Sequence, residues 1–291
     1  MKALTDTTLR LGITALLLPA AVCAATALQA GPTTTDEPYV LIVADEVDGV
    51  DVPQYFYSIY ENVLNSLGVD YNLWDHNDNG EPAADDLAPY DVVIWVTGNS
   101  CGYPADNPIY GHQAISLDEE DVLRQWLETP TARGLVLSGI WIGYNCVADE
   151  SRDEQLASRF FDYSMGLDYP DENFTDWIEV DDDWTLTSAG GELNLDNQPI
   201  EWASVENYPD QLGTSIGTVE AYWTDTDEDD HNAAIISYQG SSWRSVFMAC
   251  PLESIDGAQN RNDVISAILD WFTEGSAAVV ESSWGRIKAL E

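Results

Sequence analysis

The chain has 291 residues, 45% of them hydrophobic and 11% aromatic, enough for one large α/β domain or two small ones around a substantial core. Only 10 Lys and Arg stand against 52 acidic residues, a formal net charge of −42, which excludes nucleic acid as a partner because binding it requires a basic face. Two readings fit the acidity, a heavily hydrated surface suited to a saline exterior or a set of divalent-cation sites, and the solvated surface accounts for most of the carboxylates.

Residues 1–30 read as a secretory signal peptide. Lys2 and Arg10 precede the apolar run Leu11 to Val22, and small residues follow, with cleavage between Ala24 and Ala30. The run is too short to span a bilayer, and Val22 before Cys23 is a poor match to a lipobox. The mature chain is therefore expected to be secreted or on the cell surface, without a transmembrane segment. Residues 31–38 form a polar linker, 39–273 the main domain and 274–291 a C-terminal tail.

Tyr39 to Val47 is the first predicted strand, apolar until it meets Asp45 and Glu46. Asp51 caps a predicted helix to Leu67, Gly68 stops it, and Val69 to Trp74 returns as a strand. Tyr90 to Thr97 is a third, fully apolar strand. Leu117 to Thr129 reads as an amphipathic helix, with Asp118 at its start and Val122, Trp126 and Leu127 inward. Leu135 to Leu137 is the fourth strand, and Glu154 to Met165 a further helix. This order predicts an α/β fold: a doubly wound, mostly parallel sheet with helices on both faces. Its ligand crevice lies at the carboxyl ends of the strands. Residues 174–222 are a β- and loop-rich insertion with an antiparallel edge. Ala233 to Tyr238 and Trp243 to Ala249 form a hairpin, and Asn260 to Phe272 is the closing helix.

Asp75 to Asp86 has the oxygen spacing of a calcium loop: Asp75, Asn77 and Asn79, then Gly80, the Glu81 carbonyl, and Asp86 at the twelfth position. Ca2+ is the cofactor this spacing suggests; the plainer alternative is an Asx-rich turn between strand and helix. Pro82 and the short reach of Asp86 depart from the calcium pattern. Cys101, Cys146 and Cys250 remain after signal cleavage, an odd number, with a disulfide between Cys101 and Cys146 the simplest pairing. A thiol beside His76, His112 or His231 is the alternative, a nucleophile–base pair. Of the eleven tryptophans, Trp74, Trp95 and Trp126 fall at core positions. Trp177, Trp184, Trp202, Trp223 and Trp243 lie where exposed rings stack on sugars or grip a protein, although core packing is the better expectation for most. In the tail, Trp284, Ile287 and Leu290 share one side of a short helix beside Arg286 and Lys288, either a docking signal or a frayed end.

Gly134 to Asn145 (GLVLSGIWIGYN) is the stretch around which the rest is organised: an apolar strand, a glycine turn at Ser138-Gly139, then a helix. It resembles the nucleophile elbow of the class I glutamine amidotransferase-like superfamily, with Trp141 in place of the cysteine. The strand VADEVDG, the segment LWDHNDNGEP and the strand DVVIWVTG follow in that family's order. The likeness is to divergent domains of secreted bacterial proteins, often beside peptidase or adhesin modules. The resemblance implies a flavodoxin-like core from Tyr39 to about Phe272, and a histidine just after a late strand. Cys250 stands at that place, in FMACPLE. With Trp141 and Cys250 at the reactive positions, the resemblance implies a pseudoenzyme: a binding or structural module on the cell exterior with a protein or polysaccharide partner. The other reading is an extracellular peptidase- or amidase-type hydrolase with a rebuilt thiol or carboxylate site. The expected crevice comprises Asp45, Glu46, Asn99, Cys101, Gly139, Trp141, Tyr144, Cys146 and Cys250.

Overall fold

A computed structural model describes residues 38–46, 56–98, 114–130, 132, 134–140, 142, 165, 185–189, 191–195, 200–201, 214, 216–223 and 233–273. The signal peptide, most of the linker, the tail, and Asn99, Cys101, Trp141, Tyr144 and Cys146 lie outside them. So does the helix expected from Glu154, apart from Met165.

Among the described residues, nine strands form one sheet in the order β2-β1-β3-β4-β9-β8-β7-β5-β6. The apolar runs build its centre: β1 (Val40–Ala44), β3 (Val92–Gly98) and β4 (Gly134–Gly139) are buried along their whole length. Strands covered on both faces need no polar alternation, which is why these segments read as continuous apolar runs. β2 (Tyr71–Asp75), β1, β3, β4 and β9 (Arg244–Met248) pair in parallel. From β9 onward every pairing is antiparallel, through β8 (Ala233–Gln239), β7 (Thr218–Trp223), β5 (Thr185–Ser188) and β6 (Ile200–Glu201). The fold is thus α/β with an antiparallel extension where the insertion was expected, and β8 and β9 form the expected hairpin.

Helices cover both faces. One layer holds α1 (Tyr57–Leu67) and α5 (Ala258–Thr273), whose Tyr60, Leu64, Ile265 and Ile268 pack on Val40, Ile42, Ile94 and Val136. The other holds α4 (Leu117–Leu127), whose Leu123, Trp126 and Leu127 pack on Leu41, Val43, Trp95 and Leu135. Two single-turn helices, α2 (His76–Asn79) and α3 (Ala84–Leu87), follow β2.

Helix α4 starts at Leu117, as expected, and Asp51, the expected cap of α1, lies outside the described residues. In the described residues α1 begins at Tyr57, and Phe56 in the cap position offers no side-chain bond. The cap comes from the end of β1, where Glu46 accepts from Phe56 N at 2.8 Å and Tyr57 N at 2.5 Å. Helix α4 is capped by Ser116, two residues before Asp118: Ser116 Oγ accepts from Glu119 N, and Glu119 Oε2 accepts from Ser116 N at 2.6 Å. This reciprocal pair is a capping box.

Candidate functional site

Register decides which side chains meet at the carboxyl ends of the strands. Ala44 of β1 pairs with Asp75 of β2 in parallel, so the next residues, Asp45 and His76, emerge side by side. Alternation puts Asp45 on the same face as Val43, beneath α4, and sends Glu46 to the opposite face, beneath α1. Two adjacent acids therefore enter two different environments.

On the α4 face, Asp45 is fully buried and lies with its Oδ1 2.5 Å from His76 Nδ1. Its Oδ2 accepts from Trp95 Nε1 at 3.0 Å. The capping box that starts α4 delivers the third member: Glu119, 3% exposed, has its Oε1 3.7 Å from the same His76 Nδ1. One atom from each of the three residues lies within 4.8 Å of the others, which makes this the metal-capable group among the described residues. His76 is the most accessible of the three, its side chain 15% exposed. The Asp45 hydrogen bond raises its pKa above the ordinary histidine value, against the opposing effect of burial. Burial, and then the Asp45 charge, raises Glu119 to about 7 despite the Ser116 hydrogen bonds.

On the α1 face, Glu46 is raised to about 8, first by burial and then by Glu253; the Phe56 and Tyr57 amides oppose the shift. Glu253 lies in the 3-10 turn Leu252–Ser254 after β9, and burial raises it to about 7. Tyr60 Oη meets Ser138 Oγ at 2.6 Å and accepts from Leu252 N, tying α1 to β4 and to that turn. This second group fastens secondary structure together.

The other expected residues divide as follows. Gly139 ends β4 where a Cβ would sit 1.9 Å from Thr97 Oγ1, so its glycine is required by close strand approach. Cys250 is fully buried, its thiol pushed well above the ordinary value by burial, and its Sγ lies 4.0 Å from the Pro251 carbonyl oxygen. A buried, neutral thiol is inert, so Cys250 drops out of the rebuilt thiol site. Both cysteines of the expected Cys101–Cys146 disulfide lie outside the described residues, so that pairing gains no support, and Cys250, the described cysteine, is free.

The calcium-spaced loop folds as a capped turn. Asp75 Oδ1 accepts from Asn77 N, Asn79 Nδ2 donates to the Asp75 carbonyl, and Asp86 Oδ2 accepts from Ala83 N. Asn77 Nδ2 donates to the Glu46 carbonyl, which anchors the loop to the end of β1. Glu81 is exposed. Trp223 and Trp243 are 1% and 3% exposed and therefore pack in the core, not on a sugar-stacking surface. No helix among the described residues is long and apolar enough to cross a membrane.

The sequence reading found Asp45 and considered His76 only as a partner for a thiol; it missed Glu119. The available signal was Ser116-x-x-Glu119, a capping box next to an apolar run, which fixes the Glu119 side chain at the start of α4.

No family model matches the chain, and no curated protein does. Among solved structures, a cold-adapted β-galactosidase from Rahnella sp. R3 is similar at 13% identity and TM-score 0.51, over 78% of this chain and 30% of that one. A cytoplasmic protein from Salmonella typhimurium is similar at 12% identity and TM-score 0.51, over 80% of this chain and 98% of that one. A carbohydrate deacetylase is similar at 12% identity and TM-score 0.47, over 82% of this chain and 33% of that one. The chain spans about 30% of the length of the β-galactosidases it matches. These likenesses concern the fold. They correct the amidotransferase resemblance: the similar structures are named as a β-galactosidase and a cytoplasmic protein, not as class I glutamine amidotransferases.

Proposed function

We propose that this chain is a hydrolase whose centre, Asp45, His76 and Glu119, activates water for attack on an acyl bond. The observation that carries the reading is the convergence of two buried carboxylates on one partly exposed imidazole at the carboxyl edge of a parallel sheet. Groups that exchange protons near neutrality suit general acid–base work, and Glu119 at about 7 is such a group. The spacing argues against cleavage of the glycosidic bond itself. Carboxyls that flank a sugar linkage stand about 5 to 9 Å apart with the sugar between them. Here both approach the same histidine nitrogen, within 4.8 Å of one another. In the reaction, a water oxygen bonds to the acyl carbon, one water proton passes to the site, and a proton returns to the leaving oxygen as the acyl C–O bond breaks.

β-Galactosidase is the activity named for one protein that shares the fold, so acetylated hexosides are the first substrates to test, with 4-nitrophenyl acetate as a general probe. The wild-type chain should release acetate, and Glu119→Gln should lower turnover by about 100-fold or more. An inactive wild type would instead leave a silent binding domain. Equal turnover in wild type and Glu119→Gln would move the chemistry elsewhere.

A further inference from the structure

Each carboxylate of the α4-face group has one oxygen tied to the protein and the other turned to His76. Asp45 Oδ2 is held by Trp95 Nε1, and Glu119 Oε2 by the Ser116 amide. Asp45 Oδ1 and Glu119 Oε1 then face Nδ1 of the same imidazole, Asp45 Oδ1 in a hydrogen bond with it, and Glu119 Oε1 is buried without a hydrogen-bond partner among the described residues. Orienting bonds on the outer oxygens, with the inner Glu119 oxygen left unpartnered among the described residues, are an arrangement by which proteins aim carboxylates at a cation.

We propose that Asp45 Oδ1, His76 Nδ1 and Glu119 Oε1 bind one first-row divalent cation, with Zn2+ the first candidate. Three protein ligands with a fourth position left for water is the pattern of a catalytic zinc site. Ligand atoms at about 2.1 Å from such an ion stand roughly 3.4 Å apart in a tetrahedron. The observed separations from Nδ1, 2.5 and 3.7 Å, bracket that value, and all three ligand atoms lie within 4.8 Å of one another. Charge agrees as well. Two carboxylates at 0% and 3% exposure are costly to bury as anions, and a dication with a neutral imidazole makes the site electroneutral. Mixed imidazole and carboxylate donors suit Zn2+ or Mn2+ better than Ca2+, which takes six or more oxygens. The catalytic use of the ion rests on the hydrolase reading: with the ion bound, Glu119 is a ligand, and the bound water, brought to a pKa near 7, takes over the proton exchange; the binding itself does not rest on that reading.

The test uses the full chain, stripped with chelator and titrated with Zn2+ and Mn2+ in 0.5 M NaCl, a concentration of about the order that screens diffuse surface attraction. Calorimetry and metal analysis after gel filtration should give one equivalent bound, with a higher melting temperature. Glu119→Gln, which keeps its shape, and His76→Ala should each weaken binding at least about 10-fold. Glu253→Gln, on the opposite face, should bind as wild type does. Folding of each variant is checked by its metal-free melting curve. No stoichiometric binding, or binding unchanged in Glu119→Gln and His76→Ala, would overturn the site and leave a hydrogen-bonded cluster. Binding with these variant effects but without acetate release sustains the metal site while removing the hydrolase reading.

Discussion

Glu253 shows how a single carboxyl reports its surroundings. It is 5% exposed, and its Oε2 has no hydrogen-bond partner among the described residues. Burial raises its pKa from 4.5 to about 7, opposed by its own backbone amide and by Arg261. The folded state therefore holds this proton more tightly than the unfolded chain does. Its contribution to stability is complete below about pH 4.5 and is lost as pH rises through about 7, at a cost of up to about 3 kcal/mol by linkage. Glu253→Gln removes the ionisation. Its melting temperature should lie near that of the wild type at pH 5 and several degrees above it at pH 8. Parallel melting curves across that range would mean that the carboxyl is hydrated.

At the scale of elements, the ends of β3 and β4 approach more closely than a side chain permits. A methyl at Gly139 would meet Thr97 Oγ1, which is buried and lacks a hydrogen-bond partner among the described residues. Gly139→Ala should destabilise by about 1–3 kcal/mol, the usual cost of overpacking a filled site. Thr97→Ala in the same chain should restore part of it, a non-additivity expected of residues in contact. Denaturant melts of the single and double variants measure the coupling; strict additivity would place the strain elsewhere. The same elements mark what the sequence makes legible. Fully apolar runs revealed β1, β3 and β4 because burial on both faces removes any competing polar pattern. Helix α1 hid its cap because Glu46 supplies it from outside the helix, ten residues before Phe56, where no local spacing rule reaches. Glu119 was hidden because a capping box gives the helix start but not which strand end faces it. Gly139 looked like part of an elbow because a glycine kept for close approach and one kept for a turn look alike in one sequence.

Across the whole molecule, the net charge of −42 makes carboxylates plentiful, so their number says little about function. What separates the site from the solvated surface is burial together with register. The parallel pairing of β1 with β2, and the side-to-side alternation along β1, send Asp45 to His76 beneath α4 and Glu46 to the start of α1. Adjacent residues of one type should then have opposite roles, which turnover and melting temperature measured side by side for Asp45→Asn and Glu46→Gln can test. Asp45→Asn should cut acyl hydrolysis about 100-fold or more while the fold still melts cooperatively. Glu46→Gln should keep turnover within a few-fold and lower stability by about 1 kcal/mol at pH 5, where an amide oxygen replaces only one of the two bonds to Phe56 and Tyr57. Full turnover in Asp45→Asn, or its abolition in a folded Glu46→Gln, would contradict this division of the acidic edge.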